Sequence, residues 1–160
     1  MELRKKTEMI VVHCAATKAS MDIGATEIKK WHIDDNGWDD IGYHYIIKRG
    51  GLVEVGRPEG FQGAHAPAAN SKSIGVCLIG GMADDGGPEN NFTLEQFLSL
   101  KDLIKKLKMT NPYIVQIVGH CDIQENKPNC PGFNLKEWLH KGIVTRKKCR
   151  IVPKRSAQWS

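Results

Sequence analysis

No uncharged apolar run in this sequence approaches the roughly 20 residues that a membrane-spanning helix needs, so membrane insertion is not expected. A secretory signal is also missing. The start, Met1-Glu2-Leu3-Arg4-Lys5-Lys6, is basic, but the apolar stretch that follows ends when His13 interrupts it. The chain is therefore expected to be cytoplasmic as synthesised, in a reducing compartment. A disulfide scaffold is lacking too: the five cysteines (Cys14, Cys77, Cys121, Cys130, Cys149) are odd in number and without its dense spacing. Free thiols are expected, one of them available to a metal. There is no internal repeat and no long linker before residue 142. Residues 143–160 contain no acid, while Arg146, Lys147, Lys148, Arg150, Lys154 and Arg155 fall there.

That last absence reinterprets the net charge of +5. Six of the 23 basic residues lie in the tail, which leaves 17 against 18 acidic ones in the body. A near-neutral domain, 1–142, is thus expected to carry a basic C-terminal tail, 143–160. Such a tail suits nucleic acid, an anionic envelope polymer, or solvated disorder. At 160 residues the chain is long enough for one domain with a proper core, and its 41% apolar and 26% charged content is that of an ordinary globular protein.

Residues 9–16 read as a buried strand and 25–36 as a short helix with Ile28, Trp31 and His32 on one face. Residues 41–48 and 52–55 flank Gly50-Gly51, a hairpin signal. Residues 73–79 form another apolar run, and 82–92 a polar surface loop. Thr93-Leu94-Glu95-Gln96 is a capping box that opens a helix with Phe97, Leu100, Ile104 and Leu107 on one stripe. A strand over 114–118 and a short helix from Asn134 follow. Interspersed strands and helices with one hairpin predict an α/β fold: a single domain with a mixed central β-sheet flanked by helices.

Soft metal ligands stand beside these strand and turn signals. His13 sits in Met9-Ile10-Val11-Val12-His13-Cys14, His120 ends Ile114-Val115-Gln116-Ile117-Val118-Gly119-His120, and Cys130 follows in Lys127-Pro128-Asn129-Cys130-Pro131. Two imidazoles and a thiolate can hold Zn2+ and leave a fourth tetrahedral position for water, the pattern of a catalytic site. Pattern alone does not choose among His13, Cys14, His120, Cys121 and Cys130. Adjacent strand residues point to opposite faces, so His13 with Cys14, or His120 with Cys121, poorly serve one ion.

Several segments taken in order resemble one family. They are Val11-Val12-His13-Cys14-Ala15-Ala16-Thr17-Lys18, Ile41-Gly42-Tyr43-His44-Tyr45-Ile46-Ile47-Lys48-Arg49, Ser73-Ile74-Gly75-Val76-Cys77-Leu78-Ile79-Gly80-Gly81, Gly119-His120-Cys121-Asp122 and Cys130-Pro131-Gly132-Phe133. Over about residues 9–141 the chain resembles the zinc-dependent N-acetylmuramoyl-L-alanine amidases of the peptidoglycan-recognition-protein fold, above all the small phage lysozymes that are amidases. The resemblance implies cleavage of the amide between N-acetylmuramic acid and L-alanine. It also implies one Zn2+ on His13, His120 and Cys130, with Tyr43 catalytic. The family lysine lies two residues before the last ligand, but here position 128 is Pro, and Lys127 stands three residues before Cys130.

Lys127 is carried forward as the candidate for stabilising the oxyanion, against the reading of a solvated loop lysine. Tyr43 is carried forward against that of a packed strand aromatic. His65 and Asn70 lie where related enzymes line the substrate groove. Cys14, Cys77 and Cys121 read as small core residues; Trp31, His32 and Trp38 read as packing, with stacking of an exposed Trp on sugar as the alternative; His44 and His140 stay unassigned. The rival function is a non-hydrolytic muropeptide-binding module, but relatives of that kind lack the Cys130 thiolate. The expected partner is peptidoglycan or a muropeptide, acting on the cell wall after release, with a monomer as the expected state. The basic tail leaves contact with RNA polymerase or nucleic acid open, and no motif is specific for it.

Overall fold

The computed structural model describes residues 1–142. The basic tail and Cys149 lie outside the described residues. In chain order the elements are β1 (Met9–Cys14), β2 (Thr17–Lys18), α1 (Ala25–Asp34), β3 (Tyr45–Ile47), β4 (Val53–Val55), β5 (Ser73–Leu78), β6 (Gly81–Met82), α2 (Leu94–Thr110), β7 (Gln116–Gly119), α3 (His120–Ile123) and α4 (Leu135–Lys141).

The main sheet has the order β4-β3-β5-β1-β7. All its pairings are parallel except β3 with β4, which form the hairpin expected around Gly50-Gly51. Gly51 has φ 92, a conformation that favours glycine. The central strands β1 and β5 are buried at every position, which explains their nearly unbroken apolar sequences. β2 and β6 pair in a separate two-stranded sheet.

Alternation along β1 sorts its side chains between two layers. Ile10 and Val12 join Phe97, Leu100, Ile104 and Leu107 of α2 and Phe133, Leu135 and Trp138 near α4. Met9 and Val11 face Ala66 and Ala69 on the opposite side, where Ile28 of α1 packs with Ile41, Ile46 and Cys77. The single domain is thus a mixed sheet between helices. Thr93 caps α2 as its sequence predicts: its hydroxyl accepts from Gln96 N at 3.1 Å, and Gln96 Oε1 accepts from Thr93 N at 3.0 Å.

One expectation fails. Cys14, Cys77 and Cys130 are free thiols, but Cys121 is disulfide-bonded. The odd count and wide spacing had pointed to unpaired thiols throughout. Pairing depends on which sulfurs the fold brings together, and linear spacing does not reveal that.

Candidate functional site

The site lies at the carboxyl end of the parallel strands, where open α/β sheets form their crevices. His13 is the fifth residue of β1, and period-2 alternation turns it to the Val11 face, 1% exposed. Adjacent β7 ends at Gly119, and the chain turns there into α3, which starts at His120. A Cβ on Gly119 would come within 2.8 Å of Pro131 Cδ, so glycine at this corner lets the Cys130 loop close over it. That loop is tied down by Cys121 N donating to Cys130 O at 2.9 Å and Cys130 N donating to Lys127 O at 3.3 Å.

Residues separated by more than a hundred positions therefore meet. The ligand atoms of His13, His120 and Cys130 all lie within 4.8 Å of one another, and all three residues are buried. Cys130 Sγ is 3.8 Å from His13 Nδ1. The imidazole rings of His13 and His120 have centroids 4.4 Å apart. Bonds of about 2.0–2.3 Å around a tetrahedral ion space nitrogen and sulfur ligands by roughly 3.3–3.6 Å, so this set needs only a small contraction to share one ion. Two imidazoles with one thiolate also suit zinc chemically.

Each imidazole has its far nitrogen occupied. His13 Nε2 is 2.7 Å from His65 Nδ1, and His120 Nε2 is 2.6 Å from Gln124 Oε1. Burial pushes His13 below its ordinary value, which favours the neutral ring that a metal needs. His65 is driven well below its ordinary value by burial and by the neighbouring His13. Burial acts to raise the Cys130 thiol, but hydrogen bonds from Cys14, His120 and His13 outweigh it and hold Cys130 well below its ordinary range, towards thiolate. Cys14 lacks that support and is raised by burial.

Above these groups is a cleft of about 590 Å³, within the usual range for ligand sites. Tyr43, His65, Asn70, Lys127 and Cys130 all line it. The Tyr43 ring centroid is 5.0 Å from that of His13. Burial, then the nearby Cys77 and Cys130 sulfurs, raise its phenol well above 10, so Tyr43 stays a hydrogen-bond donor through the neutral range. The Lys127 charge is near enough to depress His13 further. Asn70 Oδ1 accepts from His65 N at 3.0 Å and Ala66 N at 2.9 Å, bracing the loop that carries His65.

Other lining residues read from sequence mainly as packing, with stacking of an exposed Trp on sugar as the alternative, or were not singled out at all. His32 and Trp38 sit on the cleft wall with ring centroids 4.7 Å apart, and Trp38 is 37% exposed. His32 is pulled down to about 4, chiefly by burial, and its Nδ1 accepts from Gly42 N. Gln124 stands four residues after His120, a helical spacing that links side chains on one face. That spacing was its only sequence signal.

Comparison with known proteins agrees with this arrangement. A family model described as N-acetylmuramoyl-L-alanine amidase matches residues 3–133. The chain is 45% identical over 143 residues to an endolysin of Enterobacteria phage K11, covering 89% of this chain and 92% of that protein. It is 46% identical over 144 residues to an endolysin of Escherichia phage T7, with the same coverage. Among solved structures, N-acetylmuramoyl-L-alanine amidase LysC from Clostridium intestinale URNW superposes with a TM-score of 0.71 at 29% identity, covering 86% of this chain and 84% of that one.

Proposed function

This chain belongs to the N-acetylmuramoyl-L-alanine amidase family and hydrolyses an amide bond of peptidoglycan, and from that premise we propose that it does so with Tyr43 and Lys127 acting around one zinc ion held by His13, His120 and Cys130. The scissile bond is the one between N-acetylmuramic acid and the L-alanine of the stem peptide. The convergence of the two imidazoles and the thiolate under a cleft is the observation that carries this reading. The catalytic unit is the domain formed by residues 1–142. No helix among the described residues is long and apolar enough to cross a membrane.

When bound, zinc supplies Lewis acidity, which makes water nucleophilic near neutral pH and polarises a carbonyl. The protein's own groups do the rest. His13 and His120 hold their rings fixed through their far nitrogens. The Tyr43 hydroxyl remains protonated and donates toward oxygen as negative charge develops on the former carbonyl. Lys127 brings a positive charge into the same cleft and offsets the charge of that oxyanion. Asn70 and His65 line the groove beside the reacting bond, and Trp38 offers an aromatic face at its rim.

Mass spectrometry of digested purified peptidoglycan tests this reading. Wild type should release stem peptides with free L-alanine amines, and Cys130→Ser should release less than about 1% as much. Fragments cut at another bond would overturn the assignment. Tight binding with no release would favour a recognition module instead.

A further inference from the structure

His65 is 8% exposed, and its two ring nitrogens both have partners. Nδ1 lies 2.7 Å from His13 Nε2, and Nε2 lies 3.2 Å from the hydroxyl of Ser73, itself 0% exposed. The ring stands at 89° to that of His13, so the two meet edge-on. The backbone is cut away to receive it. A Cβ on Gly75 would fall 2.6 Å from the His65 ring, and one on Gly63 would fall 2.4 Å from it. Two glycines on different segments thus form a slot that fits this imidazole, and Asn70 braces its backbone from below.

We infer that His65 is a positioning residue: it accepts the Nε2–H of His13, and Ser73 anchors it there, so that His13 is held in the tautomer that presents Nδ1 beside Cys130. The proton accounting follows from the geometry and rests on the zinc reading above. Nitrogens 2.7 Å apart share one hydrogen. His13 Nδ1 faces Cys130 Sγ and must keep its lone pair for a metal, so the His13 proton sits on Nε2. His65 then accepts at Nδ1 and carries its own proton on Nε2, which donates to Ser73 Oγ. Metal-bound histidines commonly use a carboxylate or a backbone carbonyl for this purpose. Here the partner is a second, neutral imidazole. The His120 side differs, because Gln124 is an amide on a partly exposed turn.

The test is zinc affinity of the purified full chain, measured by competition with a chromogenic chelator. His65→Phe keeps a ring in the slot but removes the acceptor, and should weaken zinc binding by about 10- to 100-fold. His65→Asn puts a carbonyl oxygen near the Nδ1 position and should recover most of the loss. Ser73→Ala removes one hydroxyl and should give a smaller loss in the same direction, a result that does not depend on His65→Phe folding. In wild type the His13 Nε2–H should appear as a slowly exchanging imidazole proton by NMR, and it should vanish in His65→Phe. Equal affinity of wild type, His65→Phe and Ser73→Ala would overturn the inference, as would equal losses in His65→Phe and His65→Asn. Failure of wild type to bind zinc would instead sink the metal reading itself.

Discussion

At the scale of single residues, the site depends on what surrounds each group rather than on its identity. Cys14 and Cys130 are both buried thiols, yet burial raises one while three hydrogen-bonding neighbours lower the other. Lys127 carries the sharpest residue-level prediction. A cation aimed at a developing oxyanion is typically worth a factor of about 100 to 1,000 in rate. Lys127→Ala should lower kcat by that factor and leave zinc content unchanged; steady-state kinetics beside metal analysis checks it. A loss below about tenfold would make Lys127 a solvated loop lysine. Its place in the cleft wall was not certain from sequence, because Pro128 occupies the family lysine's position and restricts the backbone of Lys127 before it. His65 shows the same limit: sequence put it in the groove, but only the sheet reveals that it backs His13 across 52 residues.

At the scale of elements, long periodic segments and those marked by a turn or cap were legible, and the shortest unmarked ones were not. The stripe of Phe97, Leu100, Ile104 and Leu107 and the cap at Thr93 define α2 because a 17-residue helix repeats its pattern several times. β2, β6 and α3 are two to four residues long and fall below any periodic window. β7 begins at Gln116 rather than 114: Ile114 N donates to Asn111 O in the preceding turn, and Val115 N donates to Glu8 O, one residue before β1 starts. The junction of β3 and β5 gives a pH prediction through His44, which is fully buried. Its Nδ1 accepts from Gly75 N at 2.9 Å, and its Nε2 donates to Phe61 O at 2.8 Å. Burial pulls it down to about 4 from an ordinary 6.5. Below pH 6.5 the unfolded chain takes up a proton there and the folded chain does not, so stability falls as pH drops from 6.5 towards 4. The slope is about 1.4 kcal/mol per pH unit at most, or about 2 kcal/mol lost by pH 5. Urea unfolding of chelator-treated protein at pH 7 and pH 5 should show this loss, and His44→Asn should reduce it. An unchanged difference in the variant would remove His44 from the account.

At the scale of the whole molecule, the topology assembles the chemistry. β1 and β7 are adjacent and parallel, so their carboxyl ends deliver His13 and His120 to one corner, and the loop after α3 returns Cys130 to it. The mixed sheet and its flanking helices were readable from alternating strand and helix signals, and the family resemblance, drawn over about residues 9–141, largely overlaps the matched residues 3–133. The choice of Cys130 over Cys14 and Cys121 was not readable from pattern alone, because linear spacing says nothing of which thiol reaches the corner. If this corner works only with a metal ion, removing the metal and then restoring it decides the matter. Protein stripped by a chelator should lose essentially all amide hydrolysis on purified peptidoglycan, and activity should return in proportion to added zinc, with a break at one equivalent per chain. Full activity in protein shown by metal analysis to be metal-free would contradict the account.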